Sequence, residues 1–101
     1  MTEKTIIELI NQLFEIEKKQ QLHAYDKIDR NVSRIKHLLN DSGYSFHNPT
    51  GEIYDETRID CEATILKDSE PYQISETMKP IIYFKDQNSQ IIVQQARVII
   101  S

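Results

Sequence analysis

Cys61 with His37 or His47 is the one thiol and imidazole pairing in the sequence, so any nucleophilic chemistry would have to start there. Its setting argues against that. Cys61 alternates with Ile59, Ala63 and Ile65, while Arg58, Asp60, Glu62 and Thr64 take the other face. A thiol on the apolar face of a strand behaves as a small hydrophobe with little thiolate character. His23 and His37 are separated by about 21 Å if one continuous helix carries both, too far to share a metal ion. Gly43 and Gly51 are the two glycines of the chain, and they do not make a phosphate-cradling loop. Glu52, Asp55, Glu56, Asp60 and Glu62 lack the alternating ligand spacing, closed by a glutamate, of a calcium loop. They read as a solvated strand face. The expectation is a protein that is not an enzyme, with no catalytic residue, no metal and no cofactor.

The bulk composition narrows the remaining classes. The chain has 101 residues, 39% hydrophobic and 28% charged, with a net charge of -4. That is one domain's worth of chain with enough apolar material for a modest core and too much for a disordered tail. Residues 1–42 carry 7 basic and 7 acidic side chains, and residues 43–101 carry 5 and 9, so the whole imbalance lies in the second part. Nucleic acid is not expected as a partner, because phosphate binding needs a basic patch. An acidic second part should prefer a protein partner with basic groups. A single cysteine excludes an internal disulfide and zinc sites built on cysteine pairs, in keeping with a reduced compartment. No apolar run approaches the roughly 18 residues of a membrane span, and Met1–Lys4 leads into an amphipathic stretch without the features of a secretory signal. A cytoplasmic location without membrane contact is expected.

The elements divide at Gly43. Residues 4–41 contain no Gly or Pro, and their apolar side chains fall at helical spacing. Ile6, Ile7, Leu9, Ile10, Leu13, Phe14 and Ile16 form one stripe; Ala24, Tyr25, Ile28, Val32, Ile35, Leu38 and Leu39 form a second. The polar stretch Glu17–Gln21 between them permits either one long helix or a helical hairpin turning near Lys19 to His23. Both leave apolar area uncovered and predict a homodimer held by residues 1–42, with Ile6, Ile10, Leu13, Ile28, Val32, Ile35 and Leu39 as the dimerisation set. Gly43 stands where a helix C-terminus favours a left-handed residue.

Beyond Gly43 the period becomes two. Arg58–Leu66 is expected as a half-buried antiparallel strand with Ile59, Cys61, Ala63 and Ile65 inward. Residues 68–71 should turn. Strands are expected over Tyr72–Met78, Ile81–Lys85, Gln90–Val93 and Ala96–Ser101, with Pro80 at a bend and residues 86–89 closing a hairpin. The fold class is α+β: a helical segment, 1–42, followed by a small all-β module, 43–101, curled or partly closed into a barrel.

The stretch Ser42–Asp55 resembles the GrpE family of nucleotide-exchange factors for DnaK-type chaperones. That family's Gly-Glu-x-aromatic-Asp motif is matched by Gly51, Glu52, Tyr54 and Asp55, and its closing Ala-Arg-Val-x-Val-like strand by Ala96, Arg97, Val98 and Ile100. Thr5–Ile16 and Ile28–Leu39 look like the two short bundle helices of the family, which favours the hairpin. Differences stand beside the match: Glu56 in place of a usual Pro, Ile59 in place of a frequent His, and Gln94–Gln95 in place of Arg-Pro. The long N-terminal helix of typical members is also missing.

The resemblance implies a homodimeric co-chaperone whose β-module docks on the nucleotide-binding domain of a DnaK-type ATPase and promotes ADP release. By position, the partner-binding set would be Gly51, Glu52, Tyr54, Asp55, Glu56, Met78 and Ile100. Tyr54 and Ile100 serve equally well as core residues of a small β-fold. Met78 leans towards an interface, because a flexible thioether suits adaptable contacts. The alternative function is a truncated GrpE-like dimeric scaffold without exchange activity.

Overall fold

The computed structural model describes residues 2–23 and 28–101. Two helices, α1 (Glu3–His23) and α2 (Asp29–Asp41), precede seven strands: β1 (Tyr44–His47), β2 (Ile53–Tyr54), β3 (Cys61–Ile65), β4 (Tyr72–Lys79), β5 (Ile81–Lys85), β6 (Gln90–Gln94) and β7 (Ala96–Ile100). The α+β class holds.

Helix α1 starts at Thr2, whose hydroxyl accepts the Thr5 N–H at 3.2 Å and so satisfies a free donor of the first turn. It continues through Lys19 to His23, the stretch expected to turn, because Lys and Gln are good helix formers whatever their polarity. The helices nevertheless fold back on one another. Lys36 Nζ lies 3.3 Å from Glu17 Oε2 and Gln20 donates to Asp29 at 2.6 Å, whereas residues 17 and 36 of one straight helix would be about 28 Å apart. Of the two alternatives, the hairpin is the one adopted; Ala24 and Tyr25 of the second stripe lie outside the described residues. Gly43 closes α2 as expected, with φ +94° and its N–H on Asn40 O at 3.0 Å. A Cβ there would sit 2.7 Å from Lys85 O, so the position excludes other residues on two counts.

The strands form two sheets, β1-β5-β6 and β2-β4-β7-β3, rather than one curled sheet. The chain passes from one sheet to the other between β1 and β2, at Pro80 between β4 and β5, and at Gln95 between β6 and β7. Successive residues of β5 face opposite ways. Ile81 and Tyr83 join Cys61, Ile74, Ala96, Val98 and Ile100 between the sheets. Ile82 and Phe84 join Tyr44, Phe46 and Val93 beneath Ile6, Ile7 and Ile10 of α1. The molecule is therefore layered as helices, three-stranded sheet, four-stranded sheet, and Ile81–Phe84 is apolar throughout because both faces of β5 are covered. Asn11 and Gln94 exchange amide hydrogen bonds at 3.1 and 2.9 Å, and Lys18 Nζ reaches Thr77 O at 3.1 Å, tying α1 to the sheets along its length.

Two expectations about β3 are corrected. It runs parallel to β7, in register Cys61↔Ala96 to Ile65↔Ile100, because residues 55–60 carry the chain back to the start of β7, where Ala96 N–H meets Asp60 O at 2.9 Å. Only Cys61 of its expected inward set is buried. Ala63 is half-buried, and Ile59 and Ile65 are 76% and 42% exposed, since a short edge strand overhangs the core at both ends. Strands β1 and β2 lack a clear alternation in sequence, and partners distant in the chain, β5 and β4, hold them.

Candidate functional site

The Gly-Glu-x-Tyr-Asp segment folds into a clip. Asn48 Oδ1 accepts the Thr50 N–H and hydroxyl at 3.1 and 2.8 Å, turning the chain into Gly51, which has φ +92°. Gly51 N–H then donates to Ile74 O at 2.8 Å, and Ile74 N–H to Glu52 O at 2.9 Å. The carboxylate of Glu52 pairs with His47 and, at 2.6 Å, with Arg58. Arg58 also donates to Asp60 at 2.6 Å and to Ile53 O at 2.9 Å. Asp55 accepts the Thr57 N–H at 2.9 Å and its hydroxyl.

The acid–base character of these groups follows. The hydrogen bond from His47 is the main reason that Glu52 titrates below its ordinary range, with Arg58 adding to it against a cost of burial. Asp55 is held down by Thr57. Burial acts to raise Asp60, but the hydrogen bonds to Arg58 and Cys61 prevail and lower it. Arg58 is driven up chiefly by its bond to Asp60. Burial pushes the Cys61 thiol up to about 11, so it has no thiolate character near neutrality, as a core cysteine should. His37 lies 3.8 Å from Asp41 on the helix surface. Among the described residues there is no group of three or more His, Cys, Asp or Glu placed to hold a metal ion, and no helix is long and apolar enough to cross a membrane.

The second feature is the outward face of the four-stranded sheet. Thr77 and Val98 are register partners and both buried, so their neighbours turn the other way. Met78 is the extra residue of a bulge between Thr77 and Lys79 and is 45% exposed. Arg97 pairs with Glu62 and Ile99 with Thr64 on this same face. Ile53, which pairs with the exposed Gln73, is itself exposed.

No family model, curated protein or solved structure matches this chain.

Of the residues named for partner binding, Gly51, Asp55, Glu56 and Met78 are exposed, and Glu52 is half-buried in the clip. Tyr54 packs against the inter-sheet core and Ile100 is fully buried in it. Of the dimerisation set, Ile10, Leu13 and Val32 are buried within the single chain, Ile6 and Leu39 are half-buried against the sheet, and Ile28 and Ile35 are exposed. Leu9, Ile16 and Leu38 are exposed as well. A seven-residue spacing was the available signal: Leu9 with Ile16, and Ile28 with Ile35, each keep one helix face. Ile99 was legible too, because alternation along Ala96–Ile100 sends it outward with Arg97. Ile53 had no signal beyond being the unspecified position of its motif.

Proposed function

We propose that this chain is a non-enzymatic, homodimeric co-chaperone that binds the nucleotide-binding domain of a DnaK-type ATPase and promotes ADP release. The supporting observation is convergence on Ile74. Gly51 and Glu52, from the first motif, bond its backbone on one side, and Ile100, from the second, is its register partner on the other. Two segments separated by more than 40 residues of sequence thus build one sheet whose outer face carries Met78, Ile53 and Ile99. Acting as a wedge requires that this face bind the open nucleotide cleft better than the closed one, because equal affinity for both would shift nothing. The exposed helix row Leu9, Ile16, Ile28, Ile35 and Leu38 is the dimer contact in this reading, and the basic groups of a partner would complement the acidic β-module.

The scaffold alternative draws on a different observation: Tyr54 and Ile100, two of the contact residues implied by the resemblance, face the core. Release of a fluorescent ADP analogue from the organism's DnaK-type chaperone separates the readings. Exchange activity predicts faster release with added protein, and Met78→Ala should weaken the effect about thirtyfold if Met78 is a 2 kcal/mol contact. Binding without acceleration supports the scaffold; no binding refutes the chaperone reading.

A further inference from the structure

We infer that the groove between α2 and the outer edge of β1 is a docking site for an extended, acidic segment of another protein, which would add as a fourth strand to the three-stranded sheet. The inference does not depend on the chaperone reading. Strand β1 ends the order β1-β5-β6. Lys85 N–H bonds Gly43 O at 2.8 Å, and Tyr44 and Phe46 lie opposite Phe84 and Ile82. Directly opposed residues of an antiparallel pair alternate between bonded and non-bonded. The N–H and C=O groups of Tyr44 and Phe46 therefore point away from β5, and no backbone bond among the described residues takes them up.

Helix α2 roofs this edge without closing it. A cavity of about 380 Å³ remains between them, lined by Ser33, His37 and Asn40 of the helix and by Tyr44, Ser45 and Phe46 of the strand. Tyr44 counts as buried because its ring packs with Ile10, Ile82 and Phe84, yet the residue still borders the cavity. An edge strand offers main-chain bonds to an extended peptide, and the pockets beside it sort alternate side chains. Here the helix supplies that second wall.

Charge selects the occupant. Residues 30–40 carry Arg30, Arg34, Lys36 and His37 and no acidic side chain, in a chain of net charge -4. Arg30, Ser33, His37 and Asn40 follow one another at helical spacing, on a row distinct from that of Ile28 and Ile35. Arg30 thus continues the cavity wall, and Arg34 stands one turn from it. Lys36 is already met by Glu17 at 3.3 Å, and His37 lies 3.8 Å from Asp41. Arg30 and Arg34 are exposed and enter no ion pair among the described residues. Tyr44–Phe46 add no charge on the strand side. A segment with Asp or Glu at alternate positions would set its carboxylates towards these two guanidinium groups, whose forked donors match a carboxylate.

The test is fluorescence anisotropy of the full chain with three labelled octapeptides: one alternating Glu with Val or Thr, a copy N-methylated on all interior backbone nitrogens, and a copy with Lys for Glu. The glutamate peptide should bind and slow hydrogen exchange at the Tyr44 and Phe46 amides, and the other two should bind at least about tenfold more weakly. Arg30→Glu with Arg34→Glu should weaken binding by a similar factor, and Ser33→Trp, at an exposed position, should obstruct the cavity. Equal binding of the methylated copy would reduce the effect to charge alone and overturn the proposal; equal binding of the lysine copy would overturn the choice of an acidic occupant. Slowed exchange at Cys61–Ile65 in place of Tyr44 and Phe46 would move the contact to the other sheet and contradict it as well. So would absence of glutamate-peptide binding, or self-association that the double arginine variant abolishes, which would make a second copy the occupant.

Discussion

The clip at residues 51–60 and the strand β3 that follows it are adjacent in sequence, yet the clip closes on itself through its charges and the strand carries one charge, Glu62. In the clip, Glu52, Asp55 and Asp60 are each met by a side chain or backbone donor from within ten residues, and Arg58 is the hub. Along β3, Glu62 is exposed and faces Arg97 across the ladder, and Ile65 and the following Leu66 are exposed. Acidic composition alone therefore does not mark a contact surface; what matters is whether the charges have already been given partners.

Several substitutions would break or sharpen this contrast. Ile100 underlies both regions through Ile74 and β3, so Ile100→Ala should cost about 2–5 kcal/mol, and Ile100→Asp should prevent folding, both read by thermal unfolding. Arg58→Ala strikes the clip alone. It leaves Glu52 and Asp60 without their shared cation and should cost about 1–3 kcal/mol, while the pairing of β3 with β7 is kept.

The clip also predicts an acid limb. Glu52, Asp55 and Asp60 titrate lower in the folded protein than in the unfolded chain, so their stabilisation is complete above the unfolded values near 4. It is lost as pH falls through the lowered folded ones. Melting temperatures between pH 2 and 7 should decline below about pH 4, less steeply in Arg58→Ala. The thiol gives the opposite limb: because Cys61 is raised from 9.0 to about 11, stability should fall as pH rises through that interval, and Cys61→Ala should remove the fall. That substitution should cost about 1 kcal/mol, and native Cys61 should react slowly with thiol reagents at pH 8.

Smallest in stability is Leu9→Glu with Ile35→Glu. Both residues are exposed in the single chain, so unfolding should move by no more than about 0.5 kcal/mol for each. Sedimentation should nevertheless change from dimer to monomer, and a wild-type monomer at micromolar concentration would contradict the helix row as a dimer contact. Ile10→Glu would unfold the chain instead, because Ile10 is buried under the sheet.

Much of the architecture was legible because local rules govern it. The absence of Gly and Pro from 4–41, the position of Gly43 and the alternation after residue 72 each report short-range physics. What failed depended on distant partners. Ile10 and Leu13 read as an intermolecular seam because the sequence does not say that β5 and β6 will present Ile82 and Val93 to α1. The buried set of β3 is smaller than its alternation implies, because alternation gives the face of a residue but not whether the strand lies at an edge. Tyr54 and Asp55 stand in a motif, yet only the fold reveals that Tyr54 packs inward while Asp55 caps Thr57.

The proposed function requires that the β-module distinguish two states of a chaperone's nucleotide-binding domain. The direct measurement is the dissociation constant of this protein for that domain, nucleotide-free and with ADP bound. At least tenfold tighter binding to the nucleotide-free form, a difference of about 1.4 kcal/mol, is the predicted result. Equal affinity for the two forms, or none for either, would contradict it.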